Sequence, residues 1–298
     1  MGRPYAASSY DRTMRWPIPA RYGPASRANT QRNARATAAR LERWAPARDA
    51  LWGVLDRYVK PGDVVAVVGA GNGHDVPLRR LAERAGRVDL IDVDARAARG
   101  ARGRVPAELR SRVEVVREDV TGGVADDLVT VAASGDVPPV RTAPDAPLGA
   151  GGYDVVVGDL LYSQLLYPAL RDTALPRERV GAVLTRIDRP LVASVVGRLH
   201  ASAPAGVVVH VHDPLGWWDD HVQPVTLGEI LAAAATDIET AHDLVARGNG
   251  PSACDPRAIA IGAGIEPLES VFWRWPFQEG VDYLACATVT RPGGPPLH

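Results

Sequence analysis

The chain has 298 residues, a formal net charge of -1 and 46% hydrophobic residues, so it can bury roughly three-quarters of its unfolded surface without disulfides or a structural metal. The near-neutral balance argues against a general nucleic-acid binder, and no apolar run approaches the roughly 20 residues of a membrane span. The two cysteines, Cys254 and Cys286, match no metal-ligand spacing and no disulfide framework; they read as small buried apolar residues of a cytoplasmic protein.

From Met1 to Leu41 there are eight arginines and one acid, Asp11. Residues 1 to 25, with Trp16, Pro17, Pro19, Tyr22 and Pro24, predict an irregular arm. Ser26 is a candidate cap for a helix carrying Ala34, Ala38 and Leu41 on one face. A second amphipathic helix carries Leu51, Trp52, Leu55, Tyr58 and Val59 and stops at Pro61 and Gly62. The first 60 residues are expected to form an N-terminal extension ahead of a domain from 61 to 298; its arginine-rich arm reads first as a lid closing through Tyr22, Arg27 or Arg32, with contact to RNA phosphates or a solvated helix face as the other readings.

From Asp63 onward apolar strands alternate with helical segments, the rhythm of a parallel sheet. Strands are predicted at Val64–Val68, Val88–Ile91, Val113–Val116, Asp154–Val157 and Val207–Val211. Helices are predicted from about Val76, over Val124–Ala133, twice between Gln164 and Ala201 with the second capped by Asp188 ahead of Pro190, and near Leu227–Ala246. Two last strands, Val271–Trp275 and Tyr283–Thr290, joined by a turn at Glu279 and Gly280, predict an antiparallel pair. The fold class is α/β, doubly wound, with a mostly parallel sheet and an antiparallel C-terminal strand pair.

Open parallel sheets bind ligands at the carboxyl ends of their strands, beside the point where strand order reverses. Here the first strand ends in Gly69-Ala-Gly71-Asn72-Gly73-His74-Asp75, the second in Asp92 and Asp94, the third in Glu118 and Asp119, and the fourth in Asp159. A dinucleotide fingerprint needs GxGxxG; here the third glycine comes one place early and His74 stands in the last position. The carboxylate of Asp92 suits a ribose diol, since it accepts from both hydroxyls. The early glycine favours a nucleoside without a pyrophosphate. Asp94 reads as a helix cap, and Glu118 as either exposed or involved.

The glycine loop with Asp92, Asp119 and Asp159 resembles the class I S-adenosylmethionine-dependent methyltransferases, over about residues 50 to 290. That resemblance implies a seven-stranded Rossmann-like sheet. It also implies S-adenosyl-L-methionine held by Gly69, Gly71, Asn72, Gly73, His74, Asp75, Asp92, Asp119 and Asp159, with Asp92 on the ribose and Asp119 near the adenine amino group. Many members place an acid two residues before the first glycine, where this chain has Val67; His74 or Asp75 is a candidate substitute. The spermidine synthases share that departure, but Tyr162 stands where their second aspartate would be, so aminopropyl transfer ranks below methyl transfer. A non-catalytic nucleoside-binding module is a third reading. The strand-four sequence GDLLY is not the NPPY-like turn of enzymes that methylate base amines.

For catalysis the candidates are Asp159, Tyr162 and His212, the last either a base or a structural histidine. His210 and His212 share a strand face, but no third ligand accompanies them and no metal site is expected. Trp217 and Trp218, just past a strand end, are candidates for an aromatic wall against the acceptor, and Tyr22 for another contact with it. Trp273 and Trp275 read as core or sheet face. The expected partner is a small-molecule or peptide-derived acceptor, with neither nucleic acid nor membrane, and the protein a monomer or homodimer.

Overall fold

A computed structural model describes residues 22–35, 39–250 and 255–292. Of the irregular arm expected over residues 1–25, residues 1–21 lie outside the described residues, as do Ala38 and Cys254, and its last two residues, Pro24 and Ala25, already open the first helix. Three helices, α1 (Pro24–Ala34), α2 (Ala39–Arg43) and α3 (Ala45–Tyr58), precede β1 (Val64–Val68). Then come α4 (Leu78–Arg84), β2 (Arg87–Asp92), α5 (Ala95–Gly103), β3 (Val113–Arg117), α6 (Val124–Ala133), β4 (Val155–Asp159), α7 (Tyr167–Arg171), α8 (Arg177–Ser202) and β5 (Val207–Trp217). The chain closes with α9 (Leu227–Ala234), α10 (Ile238–Ala246), α11 (Pro256–Gly262), β6 (Pro267–Gln278) and β7 (Val281–Thr290).

The seven strands form one sheet in the order β3-β2-β1-β4-β5-β7-β6. β1 to β5 pair in parallel and β7 runs antiparallel to both β5 and β6, so the expected doubly wound, Rossmann-like class with its antiparallel ending is what the chain adopts. Central strands are covered on both faces, which is why Val64–Val68 is an unbroken apolar run rather than an alternating one. One face packs α1, α6, α7 and α8 through Leu128, Ile187, Leu191 and Val195; the other packs α3, α4 and α5 through Leu51, Leu55, Leu81 and Ala98. A smaller cluster around Leu215, Ile230 and Phe272 seats α9 and α10. Among the described residues, no helix is long and apolar enough to cross a membrane.

Several expected boundaries move, each for a physical reason. The helix start expected at Asp188 is the middle of the 26-residue α8, which runs through Pro190. A proline inside a helix costs about 3 kcal/mol. Here Val183, Ile187, Leu191, Val195 and Leu199 keep a four-residue apolar stripe against the sheet on both sides of it, and that burial wins. The expected Leu227–Ala246 helix breaks in two, because Asp237 caps α10 by accepting from the Glu239 backbone N–H. Ser26 caps nothing: it lies inside α1, and its backbone N–H and hydroxyl both donate to Asp126, at 3.0 and 2.8 Å. β5 runs six residues beyond Val211, because β7 continues to pair with it past an irregularity between His212 and Leu215.

Candidate functional site

The site is built where β1 and β4, neighbours in the sheet, send their connections to opposite faces. The glycine loop leaves β1 with Gly69, Gly71 and Gly73 all at positive φ, +80°, +46° and +55°. A Cβ at Gly69 would stand 2.9 Å from the Asp159 carbonyl oxygen, so only glycine lets the loop cross the end of β4 this closely. Gly69→Ala should therefore cost roughly 1–3 kcal/mol of stability through backbone strain, read as a lowered urea midpoint with an unchanged slope.

Asp92 is 8% exposed and braces the loop from β2. Its Oδ2 accepts from the Gly71 N–H and its Oδ1 from the Asp94 N–H, both at 2.7 Å. A carboxylate has about four acceptor positions, so each oxygen keeps one for a ligand. Asp94 caps α5 as expected, accepting from Arg96 and Ala97. Asp119 accepts from the Thr121 N–H and hydroxyl and from the Gly123 N–H, at 2.8, 2.9 and 2.7 Å, which folds the turn ahead of α6. Glu118 is not free: it pairs with the buried Arg198 at 2.5 Å and takes the Gly149 N–H.

A cavity of about 360 Å³ runs over these strand ends, within the range of small-molecule sites. Its lining includes all nine residues expected to hold a nucleoside cofactor: Gly69, Gly71, Asn72, Gly73, His74, Asp75, Asp92, Asp119 and Asp159. Five buried polar atoms without a hydrogen-bond partner belong to residues of this lining: Asn29 Oδ1, Arg32 Nη1, His74 Nδ1, Asp159 Oδ1 and Trp275 Nε1. Unpaired buried polar groups cost about 1–3 kcal/mol each, so such a concentration marks a place where a polar ligand completes the bonding.

The electrostatics select the sign of that ligand. Burial raises the Asp159 carboxyl well above its ordinary range, and the charges of Asp75, Asp92 and Asp213 push it further. Burial likewise lifts Asp75 to about 6, against the pull of Arg48 and Arg40, and raises Asp92. His74 is held down to about 4 by burial and then by Arg104, Arg40 and Arg48, so it is neutral at pH 7. A ligand carrying positive charge relieves the carboxylates' mutual repulsion; an anion there worsens it.

Five expected site residues do not reach the cavity. Leu160, at φ +47°, turns the chain directly after Asp159 and sends Tyr162 back into the core, where its hydroxyl lies 2.6 Å from His210 Nδ1. His212 is buried with its Nε2 3.6 Å from an Asp255 oxygen, off the cavity lining. The extension of β5 carries Trp217 roughly 20 Å past Val211 along the strand. There its indole N–H donates to the Val225 carbonyl, and Trp218 stacks on His221. Tyr22 stands beside the cavity rather than on it, its hydroxyl donating to the Val93 carbonyl and its ring lying under Arg117.

The aromatic wall is made by other residues. Trp44, Trp275 and Phe277 line the cavity, with Trp44 edge-on to Trp275 at 4.9 Å, stacked on Phe277 at 5.7 Å, and donating its N–H to the Phe277 carbonyl. Arg40 lies over Trp44 and Phe277. On the opposite side α1 contributes Asn29, Arg32 and Asn33, of which only Arg32 was expected; Arg27 is exposed and does not reach. Asn33 ties α1 to the glycine loop, its amide donating to Asp94 and its carbonyl accepting from Asn72. No local pattern flags Asn33 or Trp44, because both reach the site only through tertiary packing. Trp275 had a signal, its alternation with Trp273, but that alternation reads equally well as core.

No family model matches the chain, and no curated protein matches it. Solved structures similar to it include an S-adenosylmethionine-dependent methyltransferase from Aquifex aeolicus, at 14% identity, covering 91% of this chain and 99% of that one with a TM-score of 0.42. The magnesium protoporphyrin IX methyltransferase from Synechocystis PCC 6803 is similar at 11% identity, 91% and 99% coverage and a TM-score of 0.45. A methyltransferase of the same cofactor class from Methanosarcina mazei is similar at 13% identity, 80% and 95% coverage and a TM-score of 0.40. Likenesses at this level leave the functional reading to the site itself.

Proposed function

We propose that the protein is an S-adenosylmethionine-dependent methyltransferase acting on a small-molecule or peptide-derived acceptor, with a flat aromatic acceptor favoured. The observation that carries this reading is the combination, in one cavity, of a three-glycine cradle with buried and mutually repelling carboxylates. A dinucleotide brings a pyrophosphate and would add negative charge to Asp75, Asp92 and Asp159. S-adenosylmethionine brings a sulfonium and an α-ammonium, which those carboxylates need. Val67 is fully buried in β1 and offers no charge, so the amino end is assigned to Asp75 and Asp159 instead.

The residues fit the cofactor at each of its parts. Asp92 takes the ribose diol with its free acceptor positions, Asp119 lies on the adenosine side, and Gly69, Gly71 and Gly73 allow close backbone approach. Arg32 Nη1 is a buried donor without a partner and suits the methionine carboxylate, which the decarboxylated cofactor of aminopropyl transfer lacks. When bound, the cofactor supplies an activated methyl group. The chain's own contribution is orientation and exclusion of water, and well-positioned reactions gain roughly 7–11 kcal/mol from this alone. Trp44, Trp275 and Phe277 give the acceptor an aromatic lining, and the free indole N–H of Trp275 is a donor for its polar edge. The helices before β1 act as the lid, latched to the glycine loop through Asn33. Neutral His74, with its Nδ1 unpaired, is the group placed to accept a proton from an acceptor.

Calorimetric titration against pH tests the charge argument. Because the carboxyl of Asp75 is raised to about 6 in the ligand-free protein, and that of Asp159 is also raised, a cation binds best when both are ionised. Affinity for S-adenosylmethionine is expected to fall as pH drops through about 6, by up to about tenfold per unit for each carboxyl that must lose a proton. The demethylated product keeps the α-ammonium assigned to Asp75 and Asp159, so its affinity is expected to fall over the same pH window. Affinity that stays level for both ligands across that window, or tighter binding of the decarboxylated cofactor, would overturn this assignment.

A further inference from the structure

A second cavity, of about 290 Å³, shares Gly73 with the first and is framed by α3, the start of α4 and the end of α5. Four arginines face it, Arg48, Arg79, Arg80 and Arg104, against one acid, Asp49. Arg79 is paired with Glu83 at 2.8 Å and Arg80 with Asp49 at 2.9 Å. Arg48 and Arg104 have no such partner: neither forms an ion pair among the described residues. Each spends a donor on the glycine loop, Arg48 on the His74 carbonyl at 2.6 Å and Arg104 on the Asn72 carbonyl. Desolvation lowers the pKa of both; Arg48 lowers Arg104 further, while at Arg48 itself the charges of Asp49 and Asp75 act against the lowering, ahead of the smaller contribution of Arg80. A guanidinium carries five N–H donors, so each keeps several for a ligand. Buried Val76, Leu78 and Val105 provide an apolar floor.

We propose that this cavity is a binding site for a phosphorylated small molecule. The phosphoryl group sits between Arg48 and Arg104 and the organic body lies on the apolar floor. Two guanidinium forks on one cavity match a group with three terminal oxygens better than a single carboxylate, and their planar geometry is suited to bidentate contact. The loop carbonyls flanking Gly73 are the ones these arginines hold, so an occupant here bears directly on the loop that lines the first cavity. The inference stands on this second cavity alone and survives a different ligand in the first.

The test is calorimetric titration of the full chain with inorganic phosphate, with phenyl phosphate and with phenol, at constant ionic strength. Both phosphates are expected to bind saturably at one site, phenyl phosphate about threefold tighter or more because its ring covers the floor. Phenol is expected not to bind. Arg48→Gln and Arg104→Gln are each expected to weaken phenyl phosphate about tenfold, whereas Arg57→Gln, in an ion pair with Glu269, is expected to leave it unchanged. If either cavity variant fails to fold, phenylglyoxal modification of the unaltered protein decides: phenyl phosphate should protect Arg48 and Arg104 and leave Arg57 reactive. Absence of saturable binding, binding that survives both substitutions, protection elsewhere, or no preference for the monoester over inorganic phosphate would each overturn the proposal.

Discussion

Asp159→Asn is expected to weaken S-adenosylmethionine binding by about 10²-fold or more while leaving the protein at least as stable as before. The two halves of this result have one cause. Asp159 is 4% exposed, one of its oxygens has no partner, and the charges of Asp75, Asp92 and Asp213 oppose its ionisation. In the free protein such a group is a burden, and an uncharged amide of the same shape removes it. Once a cation binds, the same carboxylate becomes its counter-charge, and loss of one partner of a buried ion pair costs about 3–5 kcal/mol. The demethylated product should lose less affinity than the sulfonium form. Calorimetry with the two ligands, beside a urea melt, separates these effects; a variant that is unstable yet binds normally would place Asp159 in the scaffold and not in the site.

Asp92→Ala is expected to fail in the other pattern, losing both affinity and stability. Charge-assisted bonds to a ribose diol contribute about 1.5–3 kcal/mol, so cofactor affinity should drop by about tenfold or more. The substitution also strips the acceptor from the Gly71 and Asp94 N–H groups, and each orphaned donor costs about 1–3 kcal/mol. Asp92→Asn keeps an acceptor for one of them and should recover part of the stability while binding remains weak. An Asp92→Ala protein with unchanged affinity would mean that the ribose lies elsewhere.

The parts of the site that the sequence made legible are those where a short local pattern dictates position. A buried valine run followed by glycines at alternate positions has one structural solution at the end of a central strand, and Asp92, Asp119 and Asp159 follow from strand ends alone. Legibility stops where placement depends on distant pairing. Trp217 and Trp218 read as a wall because β5 was expected to end at Val211, but its pairing with β7 decides its length and carries them away. The wall that exists joins Trp44, at the start of α3, to Trp275 and Phe277 on β6, residues more than 200 positions apart that meet through packing. Tyr162 was misplaced by one backbone angle, the left-handed turn at Leu160, and a close approach explains why Gly158 lies beneath it: a Cβ there would stand 2.8 Å from the Tyr162 hydroxyl. Pro190 shows the same lesson in a helix, where a continuous apolar stripe outweighs a local breaker.

The central claim is that one cavity, over the carboxyl ends of β1, β2, β3 and β4, holds S-adenosylmethionine. Its most direct test is a crystal structure of the protein grown with S-adenosylhomocysteine. The account predicts the product lying along Gly69 to Gly73, its ribose hydroxyls on Asp92 and its sulfur on the Asp159 side, facing Trp44 and Trp275. Product bound at any other place, or this cavity left without it at saturating concentration, would contradict the account.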